Sequence, residues 1–221
     1  MTSPPPPQRK RAPRQRPELQ PNLREQILTA ALGEFASAGF DAASILRIAA
    51  AAGVHHPHIY YYFKNKGELW REVATRAFVP LNSAIEEGRP LLDQVPPLDA
   101  LGAAIRQFAL FSADNPRAGL IVARETLSPG PRLDWLIDAL LRPLHQVMVT
   151  ILERAIAEGA IRPVPIPSVI QTMIGAVVSY FSGGAALRKL YDIETLSPPA
   201  IETHTEFLVE LILRGLRKPR T

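Results

Sequence analysis

Residues 44–69 read SILRIAAAAGVHHPHIYYYFKNKGEL, and this stretch decides the fold. Ser44 is placed to cap a short helix on which Ile45, Ile48, Ala49 and Ala52 share one side. Gly53 supplies positive φ for a tight turn, and Val54 a small apolar plug. A second short helix runs from His56 to Phe63, with Ile59 and Phe63 facing inward at i, i+4 spacing. That turns His56, His58, Tyr61 and Tyr62 outward or sideways. His55 takes the cap position, and Pro57 is tolerated because first-turn N–H groups have no intrahelical partner. Asn65 caps the next helix, with Glu68 as its capping-box partner and Leu69, Val73 and Ala77 along its apolar face. Two short helices joined by a glycine turn, the second polar and aromatic, form the pattern of a helix-turn-helix.

Working outward, Asn22 to Ala38 is a helix in which Asn22 and Glu25 form a capping box and Leu23, Ile27, Ala31 and Phe35 make one stripe. Gly39 stops it, and Phe40 turns back to the core. The alanine run 49–52 keeps its helix thin, so another can pack close. Downstream, the spacing predicts helices over 98–115, 117–127, 133–161 with a kink at Pro143, 167–190 and 199–217. No stretch reads as a strand, so the fold class is all-α.

The chain has 221 residues, 47% hydrophobic and 21% charged, with no cysteine. Disulfides and thiolate metal sites are excluded, and a reducing cytoplasm suits such a chain. No uninterrupted apolar run reaches the roughly 18–20 residues of a membrane span, and residues 1–21 lack the apolar core of a secretory signal. Net charge is +4, and residues 1–21 carry all of it: Arg9, Lys10, Arg11, Arg14 and Arg16 against Glu18. With Pro4 to Pro7, this segment is expected to be a disordered basic arm, either simply solvated or lying along phosphates or in a minor groove. The expected division is an arm (1–21), a helix-turn-helix domain (22–70) and a helical body (71–221).

Residues 24–72 resemble the DNA-binding domain of the TetR (tetracycline-repressor-like) family of regulators. The resemblance rests on Ile27 to Ala31, Phe35 to Phe40, Ile48-Ala49 with Ala52-Gly53-Val54, and Ile59 to Lys66 with Leu69. His55 stands where serine is common in that family, and Arg47 where an acidic residue is common. The resemblance implies a C-terminal domain that binds a small-molecule effector and forms a homodimer. It also implies that Tyr60 and Lys66 lie against the DNA backbone.

Three histidines at 55, 56 and 58 invite a metal, but Pro57 stiffens the segment, His56 points away from the other two, and no cysteine or carboxylate lies nearby in sequence. Base reading by His56 and His58, with Tyr61 on a thymine methyl or a phosphate and His55 beside them in the DNA-binding set, is the alternative, and ordinary exposed polar positions are the plainer one. Ser44 is a cap or a phosphate contact. Lys66, in a first helical turn where the dipole does not favour it, points to an external anion. Neither a glycine-rich phosphate loop nor a Gly-x-Ser-x-Gly or His-Glu-x-x-His motif occurs, so neither an enzyme nor a cofactor is expected. Phe108, Phe111, Trp135, His145, Met148, Met173 and Tyr180 lie in segments that would line an effector cavity. They suit a hydrophobic or aromatic ligand, and equally suit plain core packing. Gly175, Ser179 and Gly183, repeating every four residues, with Leu208 and Ile212 on the last helix, suit a four-helix dimer interface.

These readings converge on a ligand-responsive, homodimeric transcription regulator acting on a palindromic duplex operator. Repression is the default sign, because blocking a promoter needs no contact with polymerase. A helical effector-binding or scaffold protein that no longer reads specific DNA is the rival from another class. An enzyme using the C-terminal cavity is a further one.

Overall fold

The computed structural model describes residues 21–217, which place eleven α-helices and no strand. The basic arm lies outside this range except for Pro21, and Asn22 is found within the first helix rather than at its cap. Helix α1 (Pro21–Ala42) carries a break at Gly39, whose φ of 75° stops regular winding where the sequence predicts it. Then come α2 (Ile45–Ala51), α3 (His56–Tyr62) and α4 (Lys66–Leu92).

Helix α4 is longer than its prolines suggest. It runs through Pro80 and Pro90, and its far end is closed by Arg154, whose guanidinium donates to the carbonyls of Leu92, Asp93 and Val95 at 2.9–3.1 Å. The expected boundary at residues 70 and 71 therefore falls inside a continuous helix. Leu69, Trp70, Val73 and Ala74 of α4 are buried against α1–α3, and Phe78 and Leu81 carry the same helix on into the body.

The body comprises α5 (Pro97–Asp114), α6 (Pro116–Leu127), α7 (Pro131–Leu136), α8 (Arg142–Ala157), α9 (Ile166–Ser182), α10 (Gly184–Tyr191) and α11 (Pro198–Leu216). Between α7 and α8 the backbone stays helical but widens to a π-turn over Ile137–Leu141, just before Pro143. Proline lacks the N–H that would bond the carbonyl of Ala139 and clashes with it, and the wider turn absorbs both defects. The helical run from Pro131 to Ala157 is long and apolar enough to cross a membrane. Its Leu136, Leu140, Val147, Ile151, Leu152 and Ala155 are buried in the protein.

The single helix predicted over 167–190 is two, bent by 72° at Gly183. A β-carbon there would sit 2.5 Å from the carbonyl oxygen of Ser179, so only glycine fits the bend. One core joins α1–α4 to α6 and α7; another packs α5 against α8, α9 and α11. The first centres on Trp70, 1% exposed, with Phe40 edge-on at 6.3 Å and Trp135 at 5.6 Å. Truncating such a side chain costs about 3–5 kcal/mol.

Candidate nucleic-acid interface and ligand cavity

Helix α2 ends in a paired set of backbone bonds: Val54 N–H to Ala49 O at 2.9 Å and Gly53 N–H to Ala50 O at 3.2 Å, with Gly53 at φ 66°. This closure fixes the angle between α2 and α3. At the other end Ser44 Oγ accepts from Arg47 N–H at 3.4 Å, while the Ser44 N–H donates to Glu34 Oε1 at 2.9 Å. Arg47 Nε donates to the same oxygen at 2.8 Å, and Nη2 to Ala42 O at 2.8 Å. The Arg47 guanidinium holds the Glu34 carboxyl below its ordinary range, against the opposing effect of burial. Arg47 thus ties the start of α2 to α1. Ser44 is a cap whose hydroxyl proton remains free to donate.

Helix α3 buries Ile59 and Phe63 and turns Tyr60 and Tyr61 out, 47% and 63% exposed. His55 is exposed; His56 and His58 are half-buried. Their rings are braced by neighbours: His56 meets Tyr60 edge-on at 5.1 Å, and His55 meets His58 at 5.9 Å. Such bracing lowers the entropy lost when a surface binds. His55 makes no side-chain cap bond. Among the described residues no group of three or more histidines or carboxylates converges as a metal site requires.

Lys66 is placed differently from the sequence expectation of an unsatisfied cation. Its Nζ donates to Asp41 O at 3.1 Å and lies 4.8 Å from the centre of the Phe40 ring. It closes the end of α1, an internal role that sequence reasoning missed because the partner lies 25 residues away. Asn65 caps α4 as expected, accepting from Glu68 N–H at 2.8 Å. Glu68 reciprocates one residue early, accepting from Lys64 N–H at 2.6 Å.

The end of α1 is also gripped from the body. Arg124 Nη2 donates to Ser37 O at 2.7 Å. Arg132 lies 4.0 Å over Phe40, reaches Asp41 Oδ2 at 3.4 Å, and donates from Nε to Glu125 Oε2 at 3.0 Å. The Glu125 side chain is only 4% exposed, and Arg132 is the ionic partner that accompanies it there. Nothing local in the sequence marked this joint.

A cavity of about 1110 Å³ opens among α4, α5, α6, α8 and α9. Phe108, Phe111, His145, Met148 and Met173 line it, as the sequence suggests, together with Phe78. Trp135 and Tyr180 do not. Trp135 packs on Trp70, and Tyr180 stacks face to face with His204, ring centres 3.6 Å apart. Among the described residues, Arg142 and His145 are the only ionisable side chains in the lining. Arg142 sits at the rim, paired with Asp138 at 2.6 Å, and burial lowers the basicity of His145. The interior is therefore apolar, with neutral hydrogen-bonding groups such as Gln107, Ser112 and Gln171. Leu120, Val122 and Leu133, in the elements that carry Arg124, Glu125 and Arg132, belong to the same wall.

Of the residues expected at a dimer interface, Gly175 and Ser179 are exposed at the cavity edge and Gly183 makes the α9–α10 bend. Leu208, 3% exposed, is spent inside the subunit beside Val177 and Phe181, and Ile212 is half-buried. The outward apolar residues of α11 are Phe207 and Leu211, with Leu190 and Tyr191 exposed on α10.

Residues 27–73 match the family described as bacterial regulatory proteins, tetR family, and residues 97–212 match the tetracyclin repressor-like C-terminal domain. The transcriptional repressor NicS of Pseudomonas putida is 27% identical over 198 residues, covering 88% of this chain and 92% of NicS. The transcriptional regulator RutR of Escherichia coli is 26% identical over 199 residues, covering 88% of this chain and 90% of RutR. The fold is shared with HlyIIR, a hemolysin II transcriptional regulator (TM-score 0.68, 22% identity, 90% of this chain and 99% of that one). It is shared also with FadR of Bacillus subtilis, solved with stearoyl-CoA (TM-score 0.62, 20% identity, 87% and 99%). The chain belongs to the TetR family of bacterial transcriptional regulators.

Proposed function

We propose that this regulator is a cytoplasmic, homodimeric repressor that binds a palindromic operator and is released by an apolar small molecule, acting by binding rather than turnover. The observation that carries the reading is the shared wall. The α6–α7 segment lines the cavity on one side and, through Arg124 and Arg132, grips Ser37, Phe40 and Asp41 at the end of α1 on the other. A ligand that fits the cavity better in one arrangement of α6 and α7 shifts the helix-turn-helix by the same differential affinity. Residues 22–70 bind DNA in this reading and residues 71–221 form the ligand-binding and dimer body, with α4 belonging to both. His55, His56, His58 and Tyr61 face bases; Ser44, Tyr60 and Lys66 face phosphates.

The exposed Phe207 and Leu211 of α11 support a homodimer, which sets two recognition helices about 34–36 Å apart or a multiple of it. NicS is a named repressor, which supports the sign. The effector class follows from the lining: among the described residues no acidic side chain to hold a cation, apolar walls, and neutral polar groups for one end of the ligand. That FadR holds stearoyl-CoA supports a ligand with a long apolar part.

The test is a two-step screen. Compounds that raise the melting temperature of the protein are assayed for release of a duplex selected by it. Release by at least one compound is expected, and Met148→Trp should abolish it by filling the cavity. Compounds that bind in the cavity, as Met148→Trp shows, yet leave duplex affinity unchanged would overturn the reading.

A further inference from the structure

We infer that the ligand of the cavity is an elongated apolar carboxylic acid whose carboxylate is received at the rim by Arg142, with His145 one turn further along α8. The inference deepens the ligand-release reading and rests on it. The shape of the cavity, its charge and the state of Arg142 lead there.

The cavity is long. Phe78, Leu81, Ile85, Gly88 and Leu92 follow one face of α4 at three- and four-residue spacing. At about 1.5 Å per residue, this wall runs about 21 Å. Ile170, Ile174, Val178 and Ser182, four residues apart on α9, give a second wall of about 18 Å. Walls of that length, mostly apolar, suit an extended hydrocarbon chain better than a compact ring.

The cavity has one fixed charge. Among the described residues its lining holds no carboxylate, and Arg142 is its one permanent cation. Burial keeps His145 less basic than a free imidazole, so it serves as a neutral donor. A single carboxylate matches that charge. A cationic ligand would be repelled by it, and a carrier with several phosphates would leave most of its charge without a partner in the lining.

Arg142 is held loosely. Its Nε and Nη2 donate to one and the same oxygen, Asp138 Oδ1, at 3.2 and 2.6 Å. Its Nη1 makes no hydrogen bond among the described residues. Both side chains of the pair are about two-thirds exposed, 67% and 68%, and four residues apart, a setting in which ion pairs are weak. A ligand carboxylate can take two parallel N–H groups of the guanidinium, one to each oxygen, which the Asp138 pair does not do. His145 and Gln146, three and four residues after Arg142, share its side of α8 and also line the cavity. They bring further N–H donors to the same end.

The experiment compares dodecanoate with dodecanol, matched in chain and differing in charge, by calorimetric titration of the full chain at neutral pH. The acid should bind at least tenfold more tightly. Arg142→Gln, with an unchanged melting temperature as the check on folding, should reduce the preference for acid over alcohol at least fivefold. Asp138→Asn removes the rival carboxylate and should raise that preference about two- to fivefold, the worth of an exposed pair. Dodecanoyl-coenzyme A should bind no more tightly than the acid. Equal binding of acid and alcohol, abolished by Met148→Trp, would overturn the inference and leave the ligand-release reading standing. A preference that survives Arg142→Gln, or that falls in Asp138→Asn, would overturn the assignment to Arg142. Tighter binding of the thioester would overturn the single-charge assignment. Binding of neither probe would overturn the inference, and the compound screen would still decide whether any ligand releases the duplex.

Discussion

Replacing Arg132 with leucine removes the partner of a carboxylate that is 4% exposed and the cation that covers Phe40. Breaking a buried pair from one side costs about 3–5 kcal/mol, because the remaining charge is left uncompensated. The Arg132 side chain is 30% exposed, so water reaches the site and the low end of that range applies. Losing the cation over the Phe40 ring adds about 0.5–1 kcal/mol. For a chain of this length each kcal/mol lowers the melting temperature by roughly 2–4 °C, so Arg132→Leu should melt roughly 10 °C below the parent by calorimetry. The combination of Glu125→Leu with Arg132→Leu leaves no buried charge and should recover most of the loss, since apolar replacement of both partners is close to neutral. A double-mutant cycle should return a coupling of at least about 2 kcal/mol. The double variant, refolded but without Arg132 on Phe40 and Asp41, should still bind duplex and respond less to a cavity ligand. An Arg132→Leu protein that melts within 2 °C of the parent, or a double variant no more stable than the two single changes predict additively, would refute the reasoning.

His58→Ala should change which duplex is preferred, whereas Tyr60→Phe should weaken all duplexes alike; comparing selected pools from the two variants checks this. Met148→Trp should lower the affinity of cavity ligands at least tenfold while duplex affinity stays within threefold, measured by calorimetric titration and by gel shift. Burial holds His204 less basic than a free imidazole, opposed by its contact with the Ala176 backbone. Its folded-state pKa is thus lowered, so the unfolded chain binds the extra proton first. The associated stability is present above about pH 6.5 and is lost as pH falls through the lowered folded value. Between pH 8 and 5 the melting temperature of the parent should therefore fall further than that of His204→Gln.

The helix-turn-helix was legible because its determinants are local. Ser44, Gly53, Asn65 and the Ile59–Phe63 spacing each act within five residues, and the structure places a cap, a positive-φ turn, a second cap and a buried pair there. The all-α body was legible for the same reason, with prolines opening most of its helices. What escaped the sequence is long-range. Lys66 meets Asp41, and Arg132 meets Asp41 and Phe40 across some 90 residues, so no local pattern announces either contact. Trp135 and Tyr180 lie in cavity-forming segments but point to Trp70 and His204, a matter of helix rotation that apolar spacing does not resolve. On α11 the same ambiguity assigned Leu208 to an outer face that Phe207 occupies.

The central claim is that α3 reads a specific duplex as part of a symmetric pair. Selection of duplexes from a random pool by the purified protein, at 50 and 200 mM salt, tests it most directly. The account predicts enrichment of one palindrome at both salts, with two protomers bound per duplex. Weak enrichment that disappears at the higher salt would contradict it, leaving a protein that holds DNA through charge alone.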